Sequence, residues 1–153
     1  QTAEFDFSYY MANQSYNSVD FVVVQLGIND LYNVDMSEAK ARIDKLCDDM
    51  FTIISSVKTF NPDQKIILNL PTPCTADTSK INFVTQRLIM AKFVFYNAMM
   101  MVLSTNFSNT RCSNCHLILD ASTDIYDTIH PNNAGYNKMA LEVLSQINVF
   151  QNA

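Results

Sequence analysis

Two glycines and four prolines in 153 residues leave nothing that reads as a low-complexity or flexible linker. Charge is sparse as well, at 16% of residues, and no Lys/Arg cluster appears. Ten basic residues against fifteen acidic ones give a formal charge of -5. An electrostatic grip on nucleic acid or on an anionic membrane is therefore not expected. No repeat recurs at solenoid periods. The first residue is Gln1 rather than methionine, and the opening residues do not form a signal peptide. The expectation is that the sequence begins inside a longer polypeptide.

What is present suffices for one domain. The length fits a single unit spanning 1–153, and 48% hydrophobic residues can bury a core. The most apolar stretch, Leu88 to Phe107, is interrupted by Lys92, Asn97, Ser104, Thr105 and Asn106. It reads as a buried helix rather than a membrane span. Cys47, Cys74, Cys112 and Cys115 do not share a metal-ligand spacing. They read as two buried thiols plus a surface C-x-x-C pair open to a disulfide. No metal or organic cofactor is expected, and the compartment stays open.

Phe21-Val22-Val23-Val24-Gln25-Leu26 is a β-branched apolar run ended by Gly27, as in a strand buried in a parallel sheet. A loop, Gly27-Ile28-Asn29-Asp30, follows. Asp35 and Glu38 suggest a capping box opening a helix with an apolar stripe from Ala39 to Val57, stopped at Asn61-Pro62. Lys65 to Leu70 reads as the next strand. Thr78 or Ser79 is expected to cap a second helix reaching Asn106, apolar nearly all round and so deeply buried. His116 to Asp120 reads as a third strand, which puts His116 at the sheet edge away from chemistry. A last helix is expected from Pro131 to Val149. Alternating strands and helices imply a parallel sheet with right-handed crossovers. The loops bearing Asn29 and His130 then open on the same, carboxyl edge of the sheet, where such folds place their sites.

Two short segments carry candidate chemistry. In Asp127-Thr128-Ile129-His130-Pro131 a tight turn lets the carboxylate reach the imidazole Nδ1–H and leaves Nε2 free as a base. Gly27 permits a sharp turn and close approach, and the Asn29 amide can donate to a developing oxyanion. Asp30 is expected to orient that loop. Each segment alone is also compatible with an ordinary polar turn. Tyr9, Tyr10 and Tyr16 read as core and rim, and Met99, Met100 and Met101 as adaptable core packing.

Together these residues resemble a known family. Asp20 to Asp30, an apolar strand followed by Gly27-Ile28-Asn29-Asp30, is similar to the third conserved block of SGNH/GDSL hydrolases. Asp127-Thr128-Ile129-His130-Pro131 resembles the fifth block. The resemblance covers nearly the whole chain. It implies a three-layer α/β/α, flavodoxin-like fold with a parallel sheet in the order 2-1-3-4-5, of which the first two strands are missing here. It further implies ester hydrolysis through an acyl-serine. His130 would be the base, Asp127 its orienting partner, Asn29 the oxyanion donor, and Gly27 the shaper of that loop. The substrate would be a small ester, such as an acylated carbohydrate or a lipid ester. The family's first and second blocks, including Gly-Asp-Ser, are absent, and so is the Gly-x-Ser-x-Gly elbow. The nucleophile is thus expected from outside this segment. An upstream segment or a second chain is expected to pair with strand 21–26, because a long apolar edge is an aggregation template. The alternative reading is a non-catalytic SGNH-like binding module in a phage or surface assembly. A phosphate-binding flavodoxin-like domain would want a glycine-rich loop, which is missing.

Overall fold

The structure, a computed structural model, describes residues 5–152. Three strands form one parallel sheet in the order β1 (Phe21–Val24), β2 (Lys65–Leu68), β3 (Thr110–Cys112). Val22 sits opposite Ile66 and Val24 opposite Leu68, and Leu68 in turn lies opposite Cys112. Strand side chains alternate between faces. Val22, Val24, Ile66 and Leu68 accordingly point into the main core, while Ile67 is fully buried on the other side.

Two helices cover the main-core face. α3 (Met36–Phe60) buries Ala39, Ile43, Met50, Ile54 and Val57, a stripe at three- and four-residue steps. It ends where the Asn61 N–H reaches back to the Val57 carbonyl and Pro62 follows. α4 (Phe83–Ser104) packs on α3 and on β3. On the opposite face lies α6 (Asn133–Gln151), with α5 (Cys115–Ile118) packed on it. Two small elements complete the chain: α1 (Phe7–Asn13), resting on α3, and α2 (Ile28–Tyr32), wedged between α3 and α4.

Several expectations from the sequence need correction. Residues 27–30 are not a plain loop, because Gly27 caps the short helix α2. Asp35 caps α3 without any side-chain hydrogen bond, so the capping box does not form. Thr78 and Ser79 do not cap α4. Asp77 captures the Ser79 N–H at 2.9 Å in a separate turn, and Asn82 caps the helix by accepting from the Thr85 N–H at 2.9 Å. α4 is not buried all round either. One face packs inward through Ile89, Phe93, Tyr96 and Met100, while Val84, Phe95 and Val102 are exposed. Met101 belongs to that outer face as well, unlike Met100.

The third strand is the largest displacement. It is Thr110–Cys112, and His116 lies in the helical turn α5 beyond the strand's carboxyl end. β2 runs out of partners there: the Ser113 N–H takes the Leu68 carbonyl at 2.9 Å, and the chain then peels away. Leu117 and Ile118 are left exposed, while Cys115 and Leu119 pack against Met139 of α6. The C-x-x-C is therefore no surface pair, since Cys115 is fully buried and Cys112 half-buried, and all four cysteines are free thiols. Pro131 precedes the last helix rather than opening it. It bridges to Ile125, and Asn132 caps α6 through the Gly135 N–H. Tyr9, Tyr10 and Tyr16 stand exposed on and after α1 rather than in the core.

Candidate active site

The Asp127–His130 segment is a tight turn closed by its own hydrogen bonds. The Tyr126 N–H donates to the His130 carbonyl at 2.8 Å, next to the Ile125–Pro131 bridge. Asp127 organises the turn with both oxygens. Its Oδ1 accepts the N–H groups of Ile129 and His130, each at 2.9 Å, and its Oδ2 meets His130 Nδ1 at 2.8 Å. Burial pulls the Asp127 pKa upward. The backbone N–H groups of His130 and Ile129 and the imidazole outweigh it, holding this carboxyl well below the usual carboxylate range. Asp127 is therefore an ionised acceptor at neutral pH. With the shared proton on Nδ1, His130 keeps an Nε2 lone pair, and its ring is 60% exposed.

The turn is anchored from below. The Thr75 N–H donates to the Thr128 carbonyl at 2.9 Å, and Thr72 Oγ1 donates to the Ile129 carbonyl at 3.3 Å. Asp124, buried just before the turn, accepts from the Asp120 N–H at 2.7 Å and from Lys138 of α6 at 2.6 Å. The path from β2 and the start of α6 thus fix the imidazole's position together.

Gly27 lies buried at φ +105°, a left-handed conformation that L side chains rarely adopt. A Cβ there would come within 2.8 Å of the Tyr96 ring of α4. One turn of α4 earlier, the Lys92 ammonium is buried and donates to the carbonyls of Tyr32 and Val34, beyond the end of α2. The helix thereby braces the Gly27–Tyr32 segment at both ends, with Asn29 exposed between the braces.

Gln25, Leu26, Gly27, Ile28, Asn29, Asp30 and His130 line one cleft of about 310 Å³ at the carboxyl edge of the sheet. Asp127 reaches this cleft only through His130. Asp30, expected to orient the loop, makes no side-chain hydrogen bond among the described residues and sits on the cleft wall. His116 does not line the cleft. Its Nδ1 is buried without a partner, and burial pushes its pKa down.

The braces are not legible in the sequence by pattern alone. Asn69, at the end of β2, ties the strand ends together. Its N–H donates to the Val24 carbonyl at 2.8 Å, its amide donates to Gln25 Oε1 at 2.9 Å, and its Oδ1 accepts from Ser113 Oγ at 2.6 Å. An asparagine inside the apolar run Ile66-Ile67-Leu68-Asn69-Leu70 was the available signal, because a buried amide needs partners. Lys92 within an apolar helix was a second. Among the described residues, no three His, Cys, Asp or Glu side chains gather as a metal site requires.

The chain is similar to known esterases. A multidomain esterase of Ruminococcus flavefaciens is 29% identical over 133 residues, which cover 85% of this chain and 16% of that protein's length. The chain therefore spans under a fifth of this relative. Among solved structures, an acetylxylan esterase of Geobacillus stearothermophilus superposes with a TM-score of 0.62 at 16% identity, over 95% of this chain and 68% of the other. A Streptococcus pneumonia protein described as a platelet activating factor gives a TM-score of 0.68 at 16% identity, over 93% and 68%. At such identities these structures establish the fold, an α/β architecture of the SGNH-hydrolase type. The GDSL-like lipase/acylhydrolase profile matches residues 5–143, and the chain belongs to that family.

Proposed function

We propose that this chain supplies the base and oxyanion side of a serine esterase whose nucleophile comes from outside the segment. The observation that carries the reading is the Asp127–His130 pair, at 2.8 Å, opening onto the cleft that Gly27 and Asn29 also line. His130 Nε2 takes the serine proton as the hydroxyl attacks the ester carbonyl. Asp127 holds the ring in the productive tautomer and stabilises the imidazolium. Asn29 donates its side-chain amide to the oxyanion, and Gly27 keeps that loop close to the reacting carbon. Collapse expels the alcohol, which His130 protonates. Water, activated by the same imidazole, then releases the acid. No step calls for a metal or an organic cofactor.

The substrate that fits is a small ester, an acylated carbohydrate or a lipid ester. A net charge of -5 disfavours polyanionic substrates.

A serine-reactive fluorophosphonate probe tests this on the intact polypeptide. Labelling of one serine in the native protein, lost on replacing His130→Ala, is the expected result. An intact, folded protein that takes no label would instead be a binding module.

A further inference from the structure

The outer face of α4 is apolar along its whole length. Val84, Leu88, Ala91, Phe95, Ala98 and Val102 recur at alternating four- and three-residue steps, and all six are exposed. That spacing is the seam of a helix that packs knobs-into-holes against another helix. Exposed apolar surface of this extent on a folded domain marks a contact. The helix lies over β3, whereas the β1 edge is at the other side of the sheet. A strand added at β1 therefore leaves this face uncovered.

We infer that the α4 seam is a homodimer interface in which two copies of this chain pair their α4 helices antiparallel about a twofold axis near Phe93.

The sequence of the seam carries the choice of partner. A twofold contact requires a surface complementary to itself. Reversed about position 93, the seam superposes on itself: Val84 faces Val102 of the second copy, Leu88 faces Ala98, and Ala91 faces Phe95. In the two inner layers a large side chain meets a small one, which is how facing helices interdigitate. Charge selects the same orientation. Arg87 and Lys92 are the charged residues of α4, and Lys92 is buried inward. A parallel pair would set the two Arg87 side by side. The antiparallel pair separates them by about 18 Å along the axis and brings each toward the carbonyl end of the opposite helix. An interfacial membrane helix would instead carry a basic polar flank, and here Arg87 stands alone.

Sedimentation equilibrium of the full chain, reduced and lipid-free, at tens of micromolar tests the proposal. The expected result is a dimer. Ala91→Glu, which buries an unpaired carboxylate, should weaken association by ~100-fold or more with the circular dichroism unchanged. The double variant Ala91→Glu with Phe95→Lys sets opposite charges against each other in the antiparallel register, and it should restore the dimer. A wild-type monomer would overturn the proposal, as would a dimer indifferent to Ala91→Glu or a folded double variant that stays monomeric. Co-sedimentation of a wild-type monomer with phosphatidylcholine/phosphatidylglycerol vesicles would overturn it in favour of a lipid surface.

Discussion

Gly27 and Gly135 are the chain's two glycines, and each stands where a methyl group has no room. At Gly135 a Cβ would meet the Asp124 carbonyl oxygen at 2.6 Å, so the start of α6 can lie directly against the loop that leads to His130. At Gly27 the obstacle is both the Tyr96 ring and a φ of +105°. Gly27→Ala is therefore expected to cost about 1–3 kcal/mol of stability. A thermal melt checks this, and an unchanged midpoint would mean that the turn relaxes freely. At Asp127 the expected effect is on rate. Asp127→Asn keeps the shape of the turn but removes the acceptor that fixes the imidazole tautomer. Ester turnover by the intact polypeptide should then fall by about 10³–10⁴-fold with little change in KM. The residues named for chemistry were legible because Asp-x-x-His and Gly-x-Asn-Asp are local patterns. Asn69, Thr72, Lys92 and Tyr96 were not, because their partners lie on other elements and only the fold brings them together.

Elements were readable where one local rule dominates. α3 follows its apolar stripe from Ala39 to Val57, and β1 and β2 start where their apolar runs start but end at Val24 and Leu68, two residues short of the expected Leu26 and Leu70. β3 is the counterexample. Thr110-Arg111-Cys112 carries no hydrophobic signal, and it is a strand because β2 offers it an edge. The apolar run His116 to Leu119, which mimics a strand, instead forms a helical turn that packs against α6 through Cys115 and Leu119 and leaves Leu117 and Ile118 exposed. The segment from Asp120 to Lys138 has its own dependence on pH. Hydrogen bonds from Lys138 and from the Asp120 N–H hold the Asp124 carboxyl below its ordinary range. Asp127 is held down by its own turn. Carboxyls lowered in the folded state contribute stability above the unfolded carboxylate range, about pH 4, and lose it as pH falls through their folded values. Stability should accordingly decline on acidification below about pH 4. Asp124→Asn should be less stable at neutral pH and show a flatter acid limb. Parallel acid limbs in denaturant titrations of the two proteins would contradict the assignment.

At the scale of the whole molecule, the α4 seam and the β1 edge both stand open among the described residues. Val24 gives its carbonyl to Asn69, so Val23, pointing the other way, turns its N–H and C=O to the open edge. Val23 is 46% exposed as well, which is high for the middle of an apolar strand. The proposal that an upstream segment or a second chain pairs with this edge is tested by hydrogen exchange. In the intact polypeptide the Val23 amide should exchange at least ~100-fold more slowly than in the 153-residue chain alone. Equal, fast exchange in both would mean that the edge stays open. The same edge runs into Gln25 and Gly27, so a strand placed there would deliver its own carboxyl-end residues to the cleft shared by Asn29 and His130.

Such delivery would be seen directly in a crystal structure of the intact polypeptide inhibited with a small phosphonate ester. The expected result is a phosphonylated serine in the cleft, with a phosphonyl oxygen about 3 Å from the Asn29 side-chain amide and His130 Nε2 within hydrogen-bond reach of the serine Oγ. An adduct formed elsewhere, or one that leaves Asn29 and His130 on separate rims without a common ligand, would contradict it.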